Sequence, residues 1–340
     1  MKVKWDIPLL EGYEYRFFRN YSPKKSELGS FWGLINLGIL WNLFTAPRSV
    51  IVVHGWNYFT HFFVLLLGKL RGHTVCLRCE MPFSQELLKK GLKQRIKQAG
   101  LKYILFPRVD FFLYIGTQNR MFYESYGIAP GQLIFCPYSV DNRRFRNEFE
   151  KLKGDKTLIK SKIGVPADGK IILYSGKYVS KKRPLDVIEA FSRLSLPSTW
   201  LIMVGEGELR PEMERMIKEN GLKNVVLTGF INQSAISEYY SISDVFVMSS
   251  EAGETWGLSV NEAMSFGLPV IVSDLTGCSS DLVQNGQNGY IFRTGDVNDL
   301  KDKLEQVLLN QRSFHREISR ELIEKYSYQS VAANIQLAAV

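Results

Sequence analysis

The second half of the chain alternates short apolar runs with amphipathic stretches. Runs at 170–174, 200–204, 225–228 and 245–248 are too short for helices and read as buried strands. Between them, 184–194 carries Leu185, Ile188 and Phe191 at helical spacing. The stretch 208–220 is a second helix, ended by Gly221, and 234–241 is a third. After 245–248, Val260, Ala263, Met264 and Gly267 recur at i, i+3, i+4 and i+7. Gly267 and Pro269 stop that helix, and 270–272 begins another strand. Strands alternating with helices predict a parallel α/β domain.

The first half follows the same pattern less cleanly. Strands are predicted at 50–54, 74–78, 111–115 and 133–136, with a helix over 58–70 after the first. The run 50–70 is the most apolar of the chain, but His54, Gly55, Asn57 and His61 interrupt it, so it reads as strand plus buried helix and not as a membrane span. The charged, weakly periodic stretch 146–168 is expected to join the halves as a linker with short helices. The predicted organisation is a first domain over 1–145, a linker over 146–168, a second domain over 169–325 and a terminal helix over 326–340.

A chain of 340 residues with 45% hydrophobic and 23% charged positions fits two globular domains and excludes a disordered protein. The opening Met1-Lys2-Val3-Lys4-Trp5-Asp6 has no apolar core behind it, so no signal peptide is read. Cys76 and Cys79 form a C-x-x-C, but on a predicted strand their odd spacing sends the thiols to opposite faces. Zinc or redox chemistry is not expected there, and a reducing cytoplasm suits scattered cysteines. Charge is uneven. Residues 1–150 hold 21 Lys and Arg against 11 Asp and Glu, while the rest hold 22 against 23. The first half therefore faces something anionic.

The candidate chemistry lies where predicted strands of the second half end. Glu254 and Glu262, with seven residues between them, straddle a strand–loop–helix junction. Such a junction offers free backbone N–H groups and a positive helix end, suited to a phosphate. Helical side chains lean toward the N-terminus, so Glu262 can reach back to the mouth. At the end of 170–174, Gly176 admits a ligand close to the backbone, and Lys177 and Lys182 match the charges of a pyrophosphate. Gly205-Glu206-Gly207 forms a second turn, and Gly229-Phe230 a third that can hold a base against backbone groups. Ligands of open α/β sheets bind beyond the carboxyl ends of the strands, where all of these lie.

Taken together these motifs resemble the family 4 retaining glycosyltransferases over 165–310. The family's Glu, seven residues, Glu is matched by Glu254 to Glu262, and its Glu-Ala-Met-x-x-Gly-x-Pro-Val-Ile by 262–271. Its Gly-Arg…Lys loop is matched by Gly176-Lys177 through Lys182, with Lys in place of Arg. Val140-Asp141…Phe145 and Asp281-Leu282-Val283…Gly286…Asn288-Gly289 resemble further family turns. The resemblance implies the GT-B fold, two Rossmann-like domains facing a central cleft. It implies that Glu262 binds the nucleotide ribose, that Lys177 and Lys182 neutralise the diphosphate, that the amides of Gly257, Leu258 and Ser259 cap its far phosphate, and that Glu254 contacts the transferred sugar. Glu254 and Lys182 become the expected catalytic residues, and Gly176, Gly229, Phe230 and Trp256 complete the donor-binding set. The resemblance further implies a nucleotide-diphosphate sugar as donor, no required metal or other cofactor, since lysines and the helix tip would take the cation's role, and front-face displacement with retained configuration.

Family members open with a strand, a Gly-rich loop and a helix, whereas this chain opens on a segment resembling a later part of the first domain. The first domain is therefore expected to be incomplete. Where many relatives have a His at the end of a first-domain strand, this chain has Leu77-Arg78-Cys79-Glu80. Arg78 and His54 are the acceptor-side candidates; a salt bridge of Arg78 to Glu80 or Glu86 and a buried hydrogen-bonded His54 are the structural alternatives. Residues 87–99 form a basic amphipathic helix with Leu88, Leu92, Ile96 and Ala99 as its stripe. It can lie on an anionic bilayer or pack on its own domain. No nucleic-acid motif is found. The expectation is a cytoplasmic enzyme, peripheral on the inner face of the membrane, that glycosylates a glycan or lipid-linked acceptor in cell-surface polysaccharide synthesis. A nucleotide-sugar 2-epimerase would need further carboxylates and His in the first domain. A donor-binding accessory protein would need only the second domain.

Overall fold

A computed structural model describes residues 6, 10–23, 30–310, 314 and 316–339. Of the stretch read for a signal peptide, residues 1–5 lie outside it. The chain divides into two compact units. One holds Leu10–Pro137 and the residues from Gln329 onward; the other holds Tyr138–Tyr328.

The first unit is built on a parallel sheet of β1 (Val50–His54), β2 (Thr74–Arg78), β3 (Phe111–Tyr114) and β4 (Leu133–Phe135), in the spatial order 1-2-3-4. Helices cover both faces, as parallel strands require. On one face Leu77 and Phe112 pack with Leu65, Phe106, Phe122 and Tyr123. On the other, Cys76, Leu113 and Ile134 pack with Ala338, Val331 and Ile335 of the terminal segment. The strand period of two thus separates Cys76 from Cys79, which joins the first cluster.

The amphipathic helix expected over 87–99 needs correction. A short helix Phe83–Leu87 ends first, and the basic helix is Leu92–Gly100. Gly91 stands between them at φ 103°, a conformation that no α-helix contains. The almost buried Glu86 draws Lys89, Gln94 and Lys97 around this break. Leu88, Leu92 and Ile96 are all exposed, so the stripe does not pack on its own unit.

The second unit is a six-stranded parallel sheet. Its strands are β5 (Lys170–Ser175), β6 (Thr199–Val204), β7 (Val225–Gly229), β8 (Val245–Met248), β9 (Val270–Ser273) and β10 (Gly289–Phe292), in the order β10-β9-β8-β5-β6-β7. The chain therefore winds one way from β5 to β7 and the other way from β8 to β10. Every residue of β8 and β9 is buried. Tyr174, Met203 and Val247 face one cluster, which the helices Pro184–Ser192 and Val297–Leu309 cover. Phe246 faces the other way, against Tyr240.

The segment expected as a linker over 146–168 folds into two helices of this unit, Asn142–Leu152 and Lys156–Lys162. Asp141 caps the first by accepting from the Arg144 amide at 2.9 Å. Phe145 and Phe149, one turn apart, bury against Phe266 at ring distances of 5.9 and 6.1 Å. Two aromatic residues at i and i+4 supply the buried face among many charges.

The loops after β5, β6 and β7 are laced edge to edge. Gly176 donates its amide to Val204 O at 3.0 Å, and Gly205 to Gly229 O at 3.0 Å. Gly205 sits at φ 149°, and a Cβ there would stand 1.9 Å from Gly176 O. Gly205→Ala is therefore expected to cost about 3 kcal/mol or more of unfolding free energy. Gly286→Ala, at φ 78° with nothing within 4 Å of the added carbon, should cost only about 1 kcal/mol. Urea unfolding of both variants checks this; equal losses would show that backbone crowding does not govern the junction.

Candidate active site

Strand order reverses between β5 and β8, and the loops leaving these two neighbours meet over the carboxyl edge. After β5 the chain makes a 3-10 turn, Ser180–Lys182, and Arg183 adopts φ 46° before the helix that starts at Pro184. The loop after β8 is stitched to this turn. Ser249 Oγ lies 2.9 Å from both Lys182 O and Arg183 O, and Glu251 donates its amide to Lys181 O at 2.9 Å. Arg183 is held by Asp186 at 2.7 and 3.2 Å and by Glu251 at 3.3 Å. These ties bring the Lys182 ammonium onto the Glu254 carboxylate, with side chains only 18% and 14% exposed. Ser250 also donates to Glu254 Oε2, at 3.4 Å. Lys177 stands exposed at the start of the same loop.

Three residues past Glu254 the helix Leu258–Ser265 begins at Gly257, φ 109°. A side chain at Gly257 would collide with Met248 Sδ at 2.6 Å, so the turn is tight against β8. Val260 N returns to Gly257 O at 2.9 Å. The amides of Gly257, Leu258 and Ser259 have no backbone acceptor among the described residues. Orphan first-turn donors at the positive end of a helix are an anion site. Trp256, expected in the donor-binding set, must be corrected. Its side chain is 2% exposed, its Nε1 donates to Asn261 Oδ1 at 2.9 Å, and its ring packs 5.5 Å from that of Tyr326. An indole so enclosed supports the loop, and its side chain is turned into the core.

Glu262 projects from the same helix toward the same edge. Its Oε2 accepts from the Tyr240 hydroxyl at 2.7 Å, and its Oε1 accepts from Gln233 Nε2 at 3.3 Å. Burial pushes its carboxyl up, while the hydrogen bonds from Tyr240 and Gln233 and the charge of Arg144 act against that rise. The Tyr240 hydroxyl also meets the Ser175 side chain at the end of β5. Glu254 in turn acts electrostatically on Tyr174, the residue before. Both acids therefore lie toward the carboxyl end of β5, and Lys182 is paired with Glu254. Gly229, at φ 77°, and the partly exposed Phe230 stand at the end of β7, two strands away.

Tyr240, Gln233, Arg144, Ser175 and Ser250 belong to this constellation and were not among the residues read from sequence. Tyr240 alone carried a signal, since a tyrosine in an apolar helix usually needs a partner for its hydroxyl. Gln233 lies in a loop, and Arg144 lay at the end of the expected first domain.

In the first unit, His54 and Arg78 are register partners at the carboxyl ends of β1 and β2. Arg78 Nη2 donates to Pro137 O at 3.3 Å, and Glu86, one of its expected partners, is held instead by Lys89 and Lys97 at 3.0 and 3.4 Å. His54 is exposed, not buried as the structural alternative supposed, although partial desolvation, Arg78 and His61 lower its pKa. Among the described residues no group of three His, Cys, Asp or Glu could hold a metal ion.

Residues 155–329 match the family described as glycosyl transferases group 1. The sulfoquinovosyl transferase SQD2 of Arabidopsis thaliana is 30% identical over 215 residues, covering 61% of this chain and 40% of that protein. The N-acetyl-alpha-D-glucosaminyl L-malate synthase of Bacillus anthracis is 29% identical over 174 residues, covering 51% and 44%. The match thus spans less than half the length of either relative. Among solved structures, Anabaena Alr3699/HepE in complex with UDP aligns with a TM-score of 0.68 at 16% identity, covering 85% of this chain and 79% of that one. The apo form of the lipopolysaccharide outer core galactosyltransferase WaaB aligns with a TM-score of 0.66 at 18% identity, covering 88% and 77%. Both likenesses are of fold, the GT-B fold. With the two acids, the lysine and the open helix tip gathered at the strand reversal, and with half its length matching one family, this chain belongs to the group 1 glycosyl transferases.

Proposed function

We propose that this protein transfers a hexose or N-acetylhexosamine from a nucleotide-diphosphate sugar to a glycan or lipid-linked acceptor, with retained anomeric configuration. One observation carries the reading: Lys182, Glu254, Glu262 and three amides at a helix start with no backbone acceptor among the described residues lie at the carboxyl edge of the neighbouring strands β5 and β8. Solved structures of this fold include complexes with UDP and with UDP-glucose. Relatives include a monoglucosyldiacylglycerol synthase and a galactosyltransferase acting on a diphosphoundecaprenol-linked sugar, which supports a lipid-linked acceptor.

In this reading Glu262 accepts hydrogen bonds from the ribose. Lys177 and Lys182 face the diphosphate, and the amides of Gly257, Leu258 and Ser259 hold its far phosphate. Gly176 lets the diphosphate approach the backbone, and Gly229 and Phe230 flank the base. Glu254, fixed by Lys182 and Ser250, accepts from hydroxyls of the transferred sugar. The acceptor oxygen bonds to the anomeric carbon on the face that the diphosphate leaves. The carbon–oxygen bond to phosphate breaks, and the acceptor's proton passes to the departing phosphate oxygen. Charge on that phosphate grows as the bond breaks, so the lysines and helix dipole stabilise the transition state more than the ground state. No divalent cation is needed for that role. His54 and Arg78 serve the acceptor.

The protein works, in the same proposal, in the cytoplasm as a peripheral protein on the inner face of the membrane. No helix among the described residues is long and apolar enough to cross a bilayer. Leu87, Leu88, Leu92 and Ile96 are 59–73% exposed, interleaved with Lys89, Lys90, Lys93, Arg95 and Lys97. Such a face suits an anionic bilayer, each basic residue contributing ~1 kcal/mol near the surface.

Calorimetric titration with UDP, then GDP and ADP, tests donor binding. Glu262→Ala is expected to weaken the bound nucleotide by about 10–100-fold, the worth of hydrogen bonds to a charged group. Glu254→Ala should lower turnover at least about tenfold with binding changed far less. Trp256→Phe should lose about 1–3 kcal/mol of stability, because the buried Asn261 Oδ1 loses its donor, and bind nucleotide as the parent does. Identical binding by the parent and Glu262→Ala would sink the donor assignment. For the membrane face, sedimentation with vesicles rich in phosphatidylglycerol should fall steeply with salt and be abolished by Leu92→Ser with Ile96→Ser. Vesicle binding unchanged in that double variant would exclude this surface.

A further inference from the structure

Glu262 is a carboxylate with about four lone-pair sites, and the protein uses one on each oxygen. One site per oxygen remains, which matches the two hydroxyl donors of a vicinal diol. Whether those sites face the ligand depends on what fixes the carboxylate plane. Tyr240 fixes Oε2 and is itself held between Glu262 and Ser175. Oε1 depends on Gln233, a loop residue whose side-chain amide could face either way.

Arg144 removes that freedom. Its Nη1 donates to Gln233 O at 2.9 Å and its Nη2 to Gln233 Oε1 at 2.7 Å. The guanidinium grips backbone and side chain of one residue at once. With Oε1 committed to a cation, only Nε2 can face Glu262, so the amide orientation follows from the network. Arg144 is pinned in turn. Its guanidinium lies 4.3 Å over the Phe145 ring, and its own amide donates to the helix cap Asp141 at 2.9 Å. The relay runs from the helix Asn142–Leu152 through the loop before Ile236–Ile242 to the carboxylate on Leu258–Ser265.

We propose that Arg144 is a positioning residue for nucleotide binding: acting through Gln233, it orients the Glu262 carboxylate so that its two remaining lone pairs face the vicinal hydroxyls of the ribose. This rests on the reading of Glu262 as the ribose ligand. The carboxylate must be ionised to accept both hydroxyls, and burial opposes ionisation. The charged and titratable groups facing it are Arg144, Tyr240 and Tyr328, with Asp141 acting on Tyr328. Removing the relay pushes the carboxyl further up. Binding is lost as pH falls through that pKa, so the loss should begin at a higher pH in the variants.

The test is titration of UDP and of 2′,3′-dideoxy-UDP into the full chain and its Arg144→Gln, Arg144→Lys, Gln233→Ala and Glu262→Gln variants, from pH 5.5 to 8. Arg144→Gln and Gln233→Ala should each weaken UDP about tenfold near pH 6 and less near pH 8. Dideoxy-UDP, which lacks both hydroxyls, should bind them within about twofold of the parent, and Arg144→Lys should restore only part of the loss. Equal weakening of both ligands, or unchanged UDP binding, overturns the positioning role. Should Arg144→Gln fail to fold, Gln233→Ala decides alone. A parent that does not favour UDP over the dideoxy compound, with Glu262→Gln indistinguishable from it, overturns the ribose reading itself; a strong Glu262→Gln effect with silent Arg144 and Gln233 variants overturns only the relay.

Discussion

The Lys182–Glu254 ion pair is the contact on which the geometry of the site turns. Two charges largely withdrawn from water are costly unless they meet in good geometry and their other bonding sites are filled. That demand explains the stitching around them. Ser249 bonds the carbonyls of the β5 turn, Glu251 bonds Lys181, and Ser250 bonds Glu254 itself. Each contact holds the loop after β8 to the turn after β5, so the pair can form only where these two strands lie side by side. The strand order provides that adjacency, since the sheet reverses its winding between them.

The second acid obeys the same electrostatics by another route. Glu262 has no cation in direct contact among its described hydrogen bonds; two neutral donors and a more distant guanidinium oppose the rise that burial imposes on its carboxyl. A directly paired acid is committed to its lysine, whereas one held by a phenol and an amide keeps lone pairs for a ligand. The two carboxylates therefore differ in what they can do. Glu254 is suited to share its lysine with a developing negative charge, and Glu262 to receive hydroxyl donors.

The helix Leu258–Ser265 serves both. Gly257 lets it start hard against Met248, and its open amides face the edge where the acids converge. Trp256 fills the space beneath, bonded to Asn261 of the same helix. The bulkiest residue of the motif thus supports the start of the helix, and backbone amides and acids on either side are left at the strand edge.

Sequence alone determined β5 to β9 of the second unit and the helices between them, because each strand is a short apolar run and each helix shows one apolar stripe, patterns set by local periodicity; β10 and the helix Val297–Leu309 were not read. It also determined the acids, the lysines and the helix tip, since spacing across one junction is a local property. It failed where the deciding contact is distant in the chain. Phe149 was hidden among charges until Phe266 met it, and the supposed linker became part of the second unit. Gly91 broke a helix that its neighbours' stripe would have continued. Trp256 looked like a ligand contact until Tyr326 and Asn261 enclosed it. The relay from Arg144 to Gln233 to Glu262 spans three elements, and nothing in the spacing of those residues announces it. Local pattern sets which segments become strands and helices; only packing decides which polar atoms lie within three ångströms of one another, because that depends on how the elements stack and not on their order.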